Sequence, residues 1–232
     1  VPALTDEDRK AAFPDLEGHT THDRKANYFV LFDQLELQPD RHVTVANWDT
    51  KGWVGGDIHR LWFRTEGDIE DGRLEKSQTH LLYGRSFSRW WDFVVGASQD
   101  VRPGPTQTWA AVGIQGLAPH WFEVEATAHI GGGGRFHARF EAEYELLITN
   151  RLVLQPLAEV ELFAKSDSRR GVGPGLSTLE TGARLRYEIR REFAPYIGVV
   201  WNSKFGETAD FARTTGTEVR ATRFVAGIRM WF

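Results

Sequence analysis

Residues 135 to 148 set Phe136, Ala138, Phe140, Ala142, Tyr144, Leu146 and Ile148 on one face of an extended chain, against Arg135, His137, Arg139, Glu141, Glu143 and Glu145 on the other. Successive side chains of a strand point to opposite faces, so this spacing predicts one long two-faced strand. The pattern recurs. Residues 177–190 set Leu179, Ala183, Leu185, Tyr187 and Ile189 against Glu180, Arg184, Arg186, Glu188 and Arg190. In 120–130, Phe122, Val124, Ala126 and Ala128 oppose Glu123, Glu125 and His129; in 151–164, Leu154, Val160 and Leu162 oppose Gln155, Glu159 and Glu161. An inverted barrel satisfies such strands, with apolar faces outside in lipid and charges of both signs paired across neighbouring strands inside. Isolated buried charges cost several kcal/mol each, so these groups require a network or water.

The last nine residues alternate just as strictly. Phe224, Ala226, Ile228, Met230 and Phe232 share a face, and Val225, Gly227, Arg229 and Trp231 occupy the other. A closing strand of a membrane barrel reads this way, and so does the edge strand of a soluble sandwich. The closing-strand reading pairs this segment with Tyr28–Leu37, turns Phe224, Ile228, Met230 and Phe232 to lipid, and holds Arg223 and Arg229 inside.

Composition discriminates where averages do not. Hydrophobic residues are 41% and charged residues 26% of the 232, and mean hydropathy is −0.41. These values exclude a helical membrane protein but not a barrel, because only every second strand residue meets lipid. No apolar run approaches the ~18–20 residues of a transmembrane helix. Nine Trp and fifteen Phe suit interfacial girdles. A net charge of −4 without a basic stripe argues against nucleic acid. The lack of cysteine removes disulfides and thiolate metal sites. No signal peptide opens at Val1, so the chain is expected to be mature or trimmed.

Residues 1–24 are polar and aperiodic and are expected to form a periplasmic N-terminal segment or small plug. From 25 to 232 the chain reads as about twelve alternating segments separated by turn residues. They fall near 26–37, 42–50, 58–67, 76–86, 90–101, 106–117, 120–130, 135–148, 151–164, 177–190, 195–205 and 220–232. Helical periodicity is nowhere convincing. The fold class expected is therefore all-β: a transmembrane, antiparallel, up-and-down β-barrel of about 12 strands with both termini periplasmic. Short turns at 117–119, 149–150 and 193–195 alternate with longer ones at 67–75, 165–176 and 206–219. The terse connections at 39–40, 102–105 and 131–134, and the long one at 51–57, are exceptions.

Several stretches resemble the outer-membrane copper resistance protein B family (PcoB/CopB type). They include Phe32-Asp33-Gln34-Leu35-Glu36, Trp53-Val54-Gly55-Gly56-Asp57, Arg102-Pro103-Gly104-Pro105, Gln115-Gly116-Leu117-Ala118-Pro119, Trp121–Ala126, Glu141–Glu145, Leu152–Pro156 and Leu185–Val199. In order they cover about residues 28–232. The resemblance implies a bacterial outer-membrane barrel that binds copper and supports copper resistance or movement, with no enzymatic reaction. It also implies a Met- and His-rich segment ahead of the first strand, where this chain offers only His19 and His22; the single Met is Met230. A periplasmic copper protein is the implied partner, beside outer-membrane lipid, and a closed barrel can stand as a monomer.

Copper chemistry then selects ligands. Cu(II) suits imidazole and carboxylate, whereas Cu(I) prefers sulfur, so a Cu(II) site is expected. His80, His129 and His137 are expected to face the lumen, and a hairpin turning at Gly133 sets His129 opposite His137. Glu123, Glu125 and Glu141 follow on the same face, and His19 with His22 forms a further candidate pair. The alternative for each is an ordinary rim histidine or a structural ion pair. His42, His59 and His120 are assigned no role. The rival enzyme reading fails on its nucleophile. No His is followed by the Ser and Asn of an outer-membrane phospholipase, Ser168, Ser177 and Ser203 lack a neighbouring base, and Thr127 beside His129 lacks an orienting group. Two other readings remain beside copper conduction: a passive, cation-preferring small pore, or a structural anchor whose Met/His-rich copper-binding arm is absent from this chain.

Overall fold

The computed structural model describes residues 5–8, 26–39 and 44–232. Thirteen strands are assigned: β1 (Asn27–Pro39), β2 (Thr44–Gly55), β3 (His59–Glu70), β4 (Arg73–Ser86), β5 (Trp91–Arg102), β6 (Gln107–Ala118), β7 (Phe122–Gly131), β8 (Arg135–Glu143), β9 (Leu146–Leu147), β10 (Leu152–Phe163), β11 (Gly175–Tyr187), β12 (Phe193–Lys204) and β13 (Arg220–Trp231). The two-residue β9 continues the line of β8 against β10, so β8 and β9 form one stave and the cylinder has twelve. Every neighbouring pair is antiparallel, and β13 closes the sheet on β1. The closure is bonded twice at its rim, Val30 N to Phe232 O at 3.1 Å and Phe232 N to Val30 O at 2.9 Å. Closure leaves no sheet edge unpaired, which a lipid-exposed strand requires.

The expected pairing of the last strand with Tyr28–Leu37 is observed: Leu31 pairs with Trp231, Phe32 with Met230 and Leu35 with Ile228. Phe32, Leu35 and Leu37 thus share the outer surface with Met230, Ile228 and Ala226. β1 keeps its apolar face outward by a bulge. Phe32 pairs with Thr50 and Gln34 with Asp49, leaving Asp33 as the extra residue. The bulge changes the phase of alternation, so Asp33, Gln34, Glu36 and Gln38 are all buried. A band of large apolar side chains covers the outside, among them Leu61, Phe63, Leu81, Phe93, Phe140, Ile197 and Phe224. Tyr28, Phe87, Trp90, Trp121 and Phe232 are exposed around the end where β1 begins and β13 finishes. Trp90 and Trp121 meet edge to face there at 5.5 Å. Such rings belong at a membrane interface.

The interior is filled unevenly. Leu82, Val94 and Ala111 pack with Trp62 along β3–β6, while Tyr196, Val200 and Val225 pack along β12 and β13. Small residues let the large ones lie down. A Cβ on Gly227 would stand 2.6 Å from both the Tyr196 hydroxyl and the Leu35 carbonyl.

Three sequence expectations are corrected. The long connection expected at 67–75 is a two-residue turn, Asp71-Gly72, both with positive φ (48° and 75°). An Asp-Gly pair with that backbone is the preferred tight hairpin turn. The long turn expected at 51–57 does not exist either, because β2 runs on to Gly55. Finally, the connection before β13 contains a helix, α1 (Gly206–Thr215), where no helical period was recognised. Its inward residues are the small Thr208, Ala209 and Ala212, too weak an apolar stripe to read. Of the expected segment 1–24, only residues 5–8 are described.

Candidate functional site

The lumen brings the three inward histidines together. β7 and β8 are paired in the register that sets His129 against His137, and their rings stack at 4.0 Å with planes 10° apart. His80 comes from β4, three strands away from β7. It reaches His129 because the facing residues on the intervening strands are small: Ser98 pairs with His80, and Ala111 pairs with His129. Nε2 of His80 and Nε2 of His129 are hydrogen-bonded at 2.8 Å, one ring donating and the other accepting. Phe163 stacks on the far side of His137 at 5.0 Å, and Trp109 meets it edge-on at 4.7 Å. All three histidines are buried, His129 completely.

This stack is incompletely satisfied. Nδ1 of His129 and Nδ1 of His137 have no hydrogen-bonding partner among the described residues. Leaving a buried polar atom unpaired costs about 1–3 kcal/mol, so two such atoms in one stack favour a ligand or solvent beside them. Two nitrogens each about 2.0–2.1 Å from one ion, at neighbouring corners of its coordination square, lie about 3 Å apart. The His80–His129 spacing matches that arrangement. Among the described residues no group of three or more His, Asp or Glu converges closely enough to hold a metal. The pair would therefore supply two ligands, with water or a displaced carboxylate completing the set.

The expected carboxylates line the same lumen but are already engaged. Lys51 Nζ on β2 reaches across to Glu123 at 2.7 Å and to Glu125 at 3.4 Å on β7. Arg64 on β3 meets Glu125 at 2.5 Å and also donates to Gln115. Arg139 on β8 donates across the barrel to Glu66 on β3, to Glu141 at 3.2 Å and to Glu159 on β10 at 2.7 Å. Sequence reasoning did not single out Arg139, Lys51, Arg64 or Glu66. Their position on the charged face was the available signal, but facing strands of a barrel have no register readable from sequence. His19, His22 and His42 lie outside the described residues. His59 is exposed near the terminus end, with Nδ1 2.5 Å from the Tyr83 hydroxyl, and His120 sits in the turn before β7 with φ 67°. Met230, on the outer face, is remote from all of these groups.

The connection between β10 and β11 roofs the histidines. Arg170 reaches Asp100 at 2.9 Å and the Pro105 carbonyl at 3.1 Å, while Asp100 also accepts from Gln78 and from the Trp109 indole, at 2.7 and 2.8 Å. α1 fastens this roof. The Thr208 hydroxyl meets Ser177 at 2.9 Å and accepts from Gly173 N at 2.8 Å, and Ser166 donates to Glu207 at 2.8 Å.

The family model for the copper resistance protein B precursor (CopB) matches residues 26–232. The chain belongs to the copper resistance protein B family. It is 48% identical over its full 232 residues to copper resistance protein B of Escherichia coli, spanning 78% of that protein. It is also 48% identical to the copper resistance protein B homolog of Pseudomonas syringae pv. tomato (strain ATCC BAA-871 / DC3000), spanning 79% of it. Among solved structures, the NanC porin superposes with a TM-score of 0.58 at 12% identity, covering 88% of this chain and 99% of that one. The KdgM porin superposes at 0.50 and 11% identity, over 88% and 99%. At such identities the likeness speaks for the barrel fold alone. A closed, lipid-banded cylinder in the copper resistance protein B family is a protein of the bacterial outer membrane.

Proposed function

We propose that this barrel is a non-enzymatic copper-handling protein that binds Cu(II) inside its acidic lumen and passes it across the outer membrane. The observation that carries this reading is the buried His80–His129 nitrogen pair at 2.8 Å, with the unpartnered Nδ1 atoms behind it. Imidazole and carboxylate are the donors Cu(II) favours, and no sulfur faces the lumen. His137 would support His129 by stacking, while Glu125 and Glu141, which line the same chamber as His80 and His129, would offer exchangeable oxygen ligands; Glu123 lines the wider cavity beyond it. In this reading the termini face the periplasm, a periplasmic copper protein is the partner at that side, and the barrel works as a monomer.

The test is a Cu(II) titration of the detergent-solubilised chain beside His80→Ala, His129→Ala and His137→Ala. Losing one of two imidazoles should weaken binding at least about tenfold, the equivalent of ~1.4 kcal/mol. His137→Ala should weaken it less than His129→Ala. Equal affinity and stoichiometry in the His80→Ala/His129→Ala double variant would remove the site. A second reading, an anchor whose copper capture belongs to a Met/His-rich arm, is favoured by the ion pairs that bridge the lumen from wall to wall. The same pairs weigh against a permanently open, passive cation pore.

A further inference from the structure

Three cavities lie in sequence along the lumen, and the residues they share, Asp49 apart, form ion pairs. On the loop side is an acidic vestibule of about 190 Å³, with Glu70, Glu75 and Glu180 in its walls. On the terminus side is a wider vestibule of about 550 Å³, walled by Trp53, Trp62 and Asp92 among others. Between them lies a chamber of about 40 Å³ into which His80, His129 and Thr127 face. The chamber and the loop-side vestibule have Asp49, Glu66, Arg139 and Glu141 in common. The chamber and the terminus-side vestibule have Lys51 and Glu125 in common.

We propose that the lumen is a passage with two gates in series, Arg139 on the loop side and Lys51 on the terminus side, enclosing a chamber for one largely dehydrated cation. Each gate is a basic side chain that reaches across the lumen: Arg139 holds Glu66 on β3, besides Glu141 of its own strand and Glu159 of the adjacent β10, and Lys51 on β2 holds Glu123 and Glu125 on β7. A buried water needs roughly 10–15 Å³ of such space, so the chamber holds about three waters and no organic solute. A small anion entering from either side would face carboxylates already held by the gate cations. A cation can instead take over a gate's carboxylates and release its basic side chain. Divalent charge strengthens that exchange, and the imidazole pair beyond it favours a transition metal over Mg²⁺ or Ca²⁺. The two gates are thus positioning and selectivity residues. This inference rests on the copper reading only for which ion occupies the chamber.

The gates can be tested without copper, using the full chain in planar bilayers with KCl at about 0.15 M, where surface charge is screened beyond ~8 Å. Wild type, Arg139→Gln, Lys51→Gln and the double variant are compared, with heat-modifiable electrophoretic mobility confirming a folded barrel. Because the gates are in series, each single variant should stay within about twofold of wild type, and the double variant should rise at least about fivefold with cation selectivity. Thr127→Cys supplies a second readout in all four backgrounds, since the chain has no cysteine of its own. Because opening either gate admits a cation to the chamber, its capture of Cd²⁺, a thiophilic ion small enough to enter, should accelerate about tenfold in each single variant as well as in the double when the ion is present on both sides. A double variant at the wild-type level in either readout overturns the proposal. So does a single variant whose conductance equals that of the double. Cu(II) titration of the ungated double variant separates this outcome from failure of the histidine site.

Discussion

Arg184 illustrates how single residues hold this interior together. Its guanidinium is buried on β11, donating to Glu36 at 3.1 and 3.2 Å and to Gln34 at 3.0 Å. Glu36 also accepts from the Tyr196 hydroxyl at 3.1 Å and from Gln38 at 2.9 Å. Breaking a buried pair from one side leaves an uncompensated charge and costs about 3–5 kcal/mol, whereas removing both charges is often nearly neutral. Arg184→Met should therefore destabilise the barrel by about that amount, and Arg184→Met/Glu36→Gln should recover most of the loss. Urea unfolding in detergent, followed by tryptophan fluorescence, measures both; equal losses in the single and double variants would show that packing, not charge, dominates.

Among elements, the β13–β1 seam is the most constrained. A side chain on Gly227 has no space between the Leu35 carbonyl and the Tyr196 ring. Gly227→Val should sharply reduce the fraction that reaches the heat-modifiable folded form, while Gly132→Val, where an added Cβ meets nothing within 4 Å, should leave it near wild type. Much of the strand pattern was legible in the sequence because alternation is local. The partner of β13, the inward Arg223 and Arg229, and the His129–His137 register all follow from period two and one tight turn. Other features depended on nonlocal information. Asp71-Gly72 did carry the signature of a tight turn, but the polar residues around it suggested a longer loop. α1 has no strong apolar face, and Asp33 reveals its bulge only through the change of phase it causes. The contact of His80 with His129 depends on Ser98 and Ala111 being small across two intervening strands, a relation that neighbour pairing alone does not specify.

The whole molecule has two unlike ends. One carries the start of β1, the C-terminal Phe232 and the connections at 56–58, 87–90, 119–121, 148–151 and 188–192; the other carries the roof at 164–174 and α1 at 206–215. Outer-membrane barrels keep short turns periplasmic and long loops outside. A cysteine placed at Thr214 should accordingly react with a membrane-impermeant maleimide on intact cells, and one placed at Ser88 should react only after the outer membrane is permeabilised. The reverse labelling would invert the orientation proposed above.

The pairs that cross the waist of the barrel also bear on the water in which its cell lives. Mobile salt weakens attractions between charges it can surround and weakens enclosed ones much less. The side chains of Arg139, Glu66, Glu141 and Glu159 are only 14–15% exposed. Their closure is therefore insulated from the salinity outside, and the barrel should keep the same internal wiring in fresh water and in brine.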